Sequence, residues 1–313
     1  MADRRSAGGT VSRAVVVGCG RAGSGWDEWD ESGAPPRTHA GCYQRSELTE
    51  LVGLCDVNPM RAIDAGQRRG VEPWTEVDEM LAEARPDIVS VCTPPEEHLP
   101  VVYAAIEAGV RVVLCEKPLA HTVEDAREIA RLAEGSDTVV AVMHHRRWMG
   151  GLDLVRSLFD HVVDVATIEY CGGALNNGTH AIDLVRAVAD CGYQELSFRG
   201  TDRFRVVLED SRYRAEFYDD GRRLRVADSY DGAVVEVATD YEHARLRAIE
   251  QMARIAQGSG EVPTCTVHDG LRAVELAYEA SITVRRTMLI RQRWVGCRTK
   301  RPDSRGTTCT RCL

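Results

Sequence analysis

An α/β protein of two domains is predicted: a doubly wound parallel sheet first, then an α+β domain with a mostly antiparallel sheet. Three observations lead there. Apolar β-type runs alternate with helix-like segments over residues 10–145, and the first run empties into a glycine-rich turn. From about residue 146 that alternation gives way to short strands joined by Asp-Gly turns. The second domain is expected over residues 146–296 and a basic, disordered tail over 297–313.

The elements follow in order. Ala14–Gly18, Leu51–Val57, Asp87–Cys92, Val110–Leu114 and Thr138–Met143 are continuous apolar runs, the mark of strands buried on both faces. Helical spacing fills the intervals at Thr38–Ser46, Pro59–Arg69, Val77–Ala84, His98–Ala108 and Thr122–Glu134. A short helix is expected at Gly151–Phe159, then a strand at Val163–Tyr170. Meandering strands follow at Phe204–Leu208, Tyr213–Tyr218, Arg223–Ala227 and Val234–Ala238. Helices at Glu242–Gln257 and Val267–Arg285 close the domain.

Composition narrows the class. The chain has 313 residues, 44% apolar and 28% charged, as in water-soluble globular proteins. No apolar run reaches membrane-spanning length, and the opening MADRRSAGG has no apolar signal core, so a cytoplasmic location without membrane partners is expected. Of the overall charge of −9, the stretch from Arg285 onward contributes +8, which leaves −17 on the body and disfavours nucleic acid as a partner. Cys19, Cys55, Cys92 and Cys115 lie in or beside apolar runs and read as buried thiols. Cys309 and Cys312 have metal-like spacing without a second pair, so no metal site is expected.

Gly18-Cys19-Gly20-Arg21-Ala22-Gly23 is a GxGxxG directly after the first strand. Its glycines permit a tight turn and let backbone N–H groups approach a pyrophosphate. Asp56 ends the next strand, where an acid accepts from the adenosine ribose hydroxyls and repels a 2′-phosphate, favouring NAD over NADP. Its distance from Gly23 exceeds the usual spacing because Ser24–Arg37, with two Trp and two Pro, is inserted as a loop.

Two further segments, Val91-Cys92-Thr93-Pro94-Pro95-Glu96-Glu97-His98 and Cys115-Glu116-Lys117-Pro118-Leu119-Ala120, resemble the Gfo/Idh/MocA oxidoreductases, the glucose-fructose oxidoreductase and inositol dehydrogenase relatives. The resemblance covers about residues 13–285. It implies a Rossmann domain followed by an α+β domain, and NAD-dependent hydride transfer on a sugar, cyclitol or sugar derivative. It further implies cofactor contacts from Thr93, Pro94, His98, Glu116 and Lys117, with Lys117 reaching the reacting centre. Independently, Lys117 follows a parallel strand at the end where such sheets bind ligands, and an ammonium there can polarise a substrate oxygen.

Similar members carry Gly-Gly, then Asp or Asn, then Gly-x-His-x-x-Asp opening a helix. Here that is Gly172 to Asp183, so the resemblance puts the acid/base at His180, with Asn176 where many relatives have Asp. Histidine suits the task, since its unperturbed pKa lies near 6.5. Asn176 can orient substrate by hydrogen bonds but holds no charge. Asp183 either orients His180 or pairs with Arg186. Arg147, in His144-His145-Arg146-Arg147-Trp148, either binds substrate oxygens or pairs structurally. The short connection from Tyr170 to Gly172 leaves the pocket open or closed by a partner subunit.

Two rival activities share these motifs: an NAD-dependent glycosidase, and a regulator that binds NAD without turning it over. Finally, alternation sends Arg203, Arg205, Arg212, Arg214, Arg223 and Arg225 to one sheet face. Like charges so arranged repel unless acids meet them, and a homo-oligomer assembled through this face is expected.

Overall fold

The computed structural model describes residues 11–25, 27, 35–189 and 192–283. The tail at 297–313, with Cys309 and Cys312, and most of the 24–37 insertion lie outside the described residues.

The first sheet holds β1 (Ser12–Val17), β2 (Thr49–Cys55), β3 (Glu72–Trp74), β4 (Ile88–Val91), β5 (Val112–Cys115) and β6 (Val139–Val142). All its pairings are parallel, in the order β3-β2-β1-β4-β5-β6. The order reverses between β1 and β4, and a doubly wound sheet opens its ligand crevice at that point. Helices α1 (His39–Arg45), α2 (Pro59–Arg69), α3 (Val77–Ala84), α4 (His98–Glu107) and α5 (Val123–Glu134) connect the strands.

Local chemistry sets these bounds. Asn58 caps α2 by accepting from the Met60 and Arg61 amides, Pro59 opens the helix, and left-handed Gly70 ends it. Every residue of β4 and β5 is buried, as their largely apolar sequence requires, and the one serine, Ser90, is hydrogen-bonded to His39 and Tyr43. β3 is absent from the expected elements: Glu-Pro-Trp is short and holds a proline, tolerated because this strand lies at the sheet edge.

The second part contains α6 (Leu152–Leu158), β7 (Val163–Tyr170), α7 (Thr179–Val188), β8 (Tyr193–Gly200), β9 (Arg205–Glu209), β10 (Tyr213–Tyr218), β11 (Arg223–Asp228), β12 (Val234–Ala238), α8 (Ala244–Ala256) and α9 (Val267–Thr283). Its sheet runs β12-β11-β10-β9-β7-β8, with β7 and β8 parallel and the other pairs antiparallel. β8 is the other unexpected element. Its buried Tyr193 and Leu196 fall on opposite parities, so no period-2 pattern marks it.

The last two helices return to the first domain. α8 lies beside α1 and against β4 and β5, with Arg111 donating to the Ala256 carbonyl at 2.9 Å. α9 packs on α5, α7 and β6, and a backbone bridge joins Ala141 to Thr266.

The arginine face is corrected by the acids around it. Arg205 meets Glu216 at 2.6 Å and Glu169 at 3.6 Å, Arg212 meets Asp228 at 3.0 Å, and Arg214 pairs with Glu209. Arg223 lies 3.9 Å from Glu236, and Arg225 sits in register between Glu216 and Glu236. Arg203 precedes β9 rather than joining it, beside Asp202. Cross-strand acids discharge the sheet from within, so its charge calls for no second subunit.

Candidate active site

A cleft of about 1340 Å³ lies between the two sheets, with Thr93 and Lys117 on one wall and Asn176, His180 and Tyr241 on the other. The glycine loop borders it. At Gly18, with φ 95°, a Cβ would stand 2.6 Å from the Cys92 carbonyl group. At Gly23 it would stand 1.9 Å from the Gly18 oxygen. Both positions admit glycine only, whereas Gly20 faces open space. The loop continues into one wide turn, Arg21–Gly25, where the Ser24 and Gly25 amides both donate to the Gly20 carbonyl. The insertion then intervenes, and α1 starts afresh at His39, capped by Thr38.

Asp56 lies just past β2 and supports this loop. Its Oδ2 accepts from the Cys19 amide at 2.9 Å and its Oδ1 from the Asn58 amide at 2.9 Å, while Arg61 approaches to 3.3 Å. Beyond β4, the Thr93 hydroxyl is buried without a hydrogen-bond partner. Open space at Gly20 and an unsatisfied hydroxyl at Thr93 fit a dinucleotide laid across the carboxyl ends of β1 and β4. Pro94 starts the turn leading to α4. Beneath it His98 is fully buried and lies outside the cleft lining. Burial lowers its pKa; Nε2 lies 3.0 Å from the Thr93 carbonyl, and Nδ1 lies 3.2 Å from the Leu119 carbonyl and 3.3 Å from the Cys115 thiol. Its contribution is to hold the Thr93-Pro94 turn in place.

Glu116 and Lys117 follow β5. Glu116 accepts from its neighbour's amide, Lys117 N, at 3.1 Å and from His39 Nε2 at 3.1 Å, with Arg245 of α8 at 3.8 Å. Burial pushes the Glu116 carboxyl upward, but the His39 hydrogen bond and the nearby cations more than reverse this, holding it at about 2. Burial lowers the pKa of His39 itself. The neutral ring takes the Ser90 hydroxyl at Nδ1 (2.7 Å), and Tyr43 donates to Ser90 (2.7 Å). A buried chain of donors thus fixes the strand end that carries Lys117.

From that strand end, Lys117 Nζ donates to Asn176 Oδ1 across the cleft at 2.8 Å. Burial lowers the lysine pKa; Glu116 opposes this, and Arg146 and Arg245 add to it. Asn176 sits in the turn Ala174–Gly178 that leads into α7, on whose first turn His180 lies.

His180 is buried and packs edge-on against two other imidazoles, His144 at 5.4 Å and His145 at 5.0 Å between ring centroids. Its Nδ1 has no hydrogen-bond partner, nor do His145 Nδ1 and both ring nitrogens of His144. Burial drives the His180 pKa well below 6.5, and the positive charges of Arg146 and Lys117 push the same way. The ring is therefore neutral at neutral pH, able to accept a proton and surrounded by groups that favour an anionic oxygen beside it.

Arg147 and Asp183 are brought together, but behind the site. Two hydrogen bonds of 2.8 Å join guanidinium to carboxylate, and Arg147 also meets Asp269 at 3.0 Å and the Thr264 carbonyl at 3.1 Å. Neither side chain lines the cleft. Of the two alternatives for Arg147, the geometry takes the structural one. Asp183 neither orients His180 nor pairs with Arg186, which turns to Asp269 at 3.4 Å. The pair clamps α7, and hence His180, to the turn after β6.

Sequence reasoning missed His145, Arg146, Tyr241 and Arg245 as cleft residues. For His145 and Arg146 a signal existed: they follow a parallel strand at its ligand-binding end, as Lys117 does. For Tyr241 and Arg245, from the far end of the chain, none did.

Residues 12–144 match the family model of GFO_IDH_MocA, described as an oxidoreductase family with an NAD-binding Rossmann fold. D-glucoside 3-dehydrogenase of Escherichia coli is 36% identical over 113 residues, 36% of this chain and 32% of that protein. The matched stretch thus spans about a third of that relative's length. Among solved structures, an inositol dehydrogenase homolog from Azotobacter vinelandii complexed with NADH and myo-inositol superposes with a TM-score of 0.68 at 16% identity. The superposition covers 90% of this chain and 98% of that one. A 3-ketoreductase from Actinomadura kijaniata, in complex with TDP-benzene and NADP, gives 0.69 at 16% identity over 86% and 96%. The fold is shared along nearly the whole chain, and with its parallel sheet and glycine loop the N-terminal domain belongs to the Gfo/Idh/MocA oxidoreductase family.

Proposed function

We propose that this protein is a nicotinamide-dependent oxidoreductase acting on a carbinol or carbonyl carbon of a sugar, cyclitol or sugar derivative. The observation that carries the reading is the meeting of Lys117 and His180, one from each domain, in a single cleft bordered by the dinucleotide loop. When bound, the nicotinamide supplies the acceptor for the hydride that leaves the carbinol carbon, so the alcohol is oxidised to a ketone and the cofactor reduced.

The protein moves the proton. His180, neutral and lining the cleft, takes the hydroxyl proton and returns it in the reverse direction. Lys117 spends one N–H on Asn176 and keeps two for the substrate oxygen, stabilising its developing negative charge. Because Asn176 is neutral, it aims the ammonium without discharging it.

NAD is the preferred cofactor in this reading, since Asp56 stands where the adenosine ribose lies. Arg61 beside it softens the discrimination against a 2′-phosphate. The test is a panel of sugars, cyclitols and nucleotide sugars with NAD or NADP, followed by the absorbance of the reduced nicotinamide. Turnover of one class, faster with NAD, is expected. Dinucleotide binding without turnover of any compound would leave a binding protein in place of an enzyme.

A further inference from the structure

We propose that Arg146 is an anion anchor and that the substrate is a monosaccharide derivative carrying a carboxylate near the reacting carbinol. The inference rests on the hydride-transfer reading and narrows its substrate class.

Arg146 follows β6 in the turn His145–Trp148 and is 4% exposed, yet it lines the cleft. Its guanidinium carbon lies over Phe204, 3.9 Å from the ring centroid. Nη2 spends its donors on Asp220, at 2.8 Å to the carboxylate and 3.2 Å to the carbonyl. Nε is buried without a partner, and no hydrogen bond is made by Nη1. A buried guanidinium with open donors is costly unless something completes it.

Three other arginines of the cleft stand beside acids. Arg245 faces Glu116, Arg205 faces Glu216 and Glu169, and Arg222 faces Glu242 at 2.8 Å. Lys117 has only neutral Asn176 as its hydrogen-bond partner across the cleft. Arg146 and Lys117 both act electrostatically on His180, so two cations of the cleft stand near that imidazole. Asp220, the one acid on Arg146, is about half exposed and shared with Arg222.

The chemistry selects a carboxylate. Charge-assisted hydrogen bonds to Nη1 offset the desolvation of the guanidinium. A phosphate would bring a second negative charge beside Asp220. Phe204 under the guanidinium fixes its plane, so the anion meets a preset donor.

The experiment compares matched pairs, D-glucose with D-glucuronate and D-galactose with D-galacturonate, by steady-state kinetics with NAD. Calorimetric titration of each uronate into the NAD-bound protein runs alongside. In wild type, kcat/KM for an acid should exceed that for its neutral partner by roughly 10- to 100-fold, the scale of one charge-assisted hydrogen bond. Arg146→Gln should erase that preference mainly through KM, and Arg146→Lys should keep part of it. Melting curves monitor folding; if Arg146→Gln fails to fold, Arg146→Lys carries the test with a several-fold loss of preference. Equal use of acids and neutral sugars, or a preference unchanged in both variants, overturns the inference while leaving the oxidoreductase reading intact. Uronate binding that depends on Arg146 without any turnover upholds the anchor and sinks the proposed reaction. No turnover and no Arg146-dependent binding overturns the anchor.

Discussion

Two groups of buried histidines divide the molecule. In the first domain, His39 and His98 have both ring nitrogens engaged, by Ser90 and Glu116 in one case and by Thr93 and Cys115 in the other. At the junction, His144, His145 and His180 face one another with four ring nitrogens unpartnered. Burial lowers the pKa in all five. The contrast separates two uses of one residue type. Where an imidazole is a strut, the fold completes its hydrogen bonds; at the junction it leaves four ring nitrogens without partners among the described residues, and in the proposed reading His180 there serves the substrate.

The comparison breaks first if activity does not follow the open group. His180→Ala should lower turnover by roughly 10²–10⁴-fold with the dinucleotide affinity and the melting temperature near wild type. Lys117→Ala should cost about 10²–10³-fold, the scale of one preorganised donor to a developing oxyanion. Stopped-flow absorbance on the best substrate, with calorimetry for the cofactor, measures both. Wild-type turnover in the His180 variant would return that residue to the struts.

Stability should follow the closed group. His39→Phe takes the imidazole hydrogen bond from Glu116, leaving it the Lys117 amide and Arg245 at 3.8 Å, and should destabilise by about 2–4 kcal/mol in denaturant titrations. His144→Phe removes two unsatisfied nitrogens and keeps a planar ring, so it should change stability by less than about 1 kcal/mol or raise it slightly. Equal losses in the two variants would erase the distinction.

The pH dependence sharpens it further. For a histidine whose folded pKa is depressed, the unfolded chain takes up its proton first as pH falls through 6.5, so stability drops from there toward the folded pKa. His144, lowered to about 4, should alone cost about 3 kcal/mol by that pH, and His144→Phe should remove that increment from the acid limb. Glu116 acts at lower pH: held at about 2, it stabilises the fold above the ordinary carboxylate range and loses that contribution as pH falls toward 2. The smallest expected effect is at the cofactor: Arg61→Ala should raise the ratio of NADP to NAD dissociation constants by a few-fold, since one exposed cation near a phosphate contributes about 1 kcal/mol or less.

Much of this was legible in the residues themselves. The buried strands of the first sheet are rich in Val, Ile and Leu, so apolar content marks them, and α2 is bounded by its own Asn, Pro and Gly. β8 is illegible because its buried residues keep no single parity. Lys117 and His180 stand in short motifs that carry their positions with them. The Glu116–His39 bond joins residues 77 positions apart, and neither side chain announces the other. The arginine face was legible only in part: alternation gives the face of each strand arginine, but only the strand register shows which acid stands opposite.

The return of α8 to the first domain sets the order in which the chain can be finished. Synthesis completes the last strand of the parallel sheet at Val142, yet the helix that covers β4 and β5 begins at Ala244, about a hundred residues later. At ~5–20 residues per second, a nascent chain holds part of that apolar sheet bare for roughly 5–20 seconds while the second domain emerges. The first domain, although its strands and the glycine loop are contiguous in sequence, should therefore fold poorly without α8. Cut before α8, it should collect on chaperones or aggregate, and supplying the missing helix in trans should rescue it.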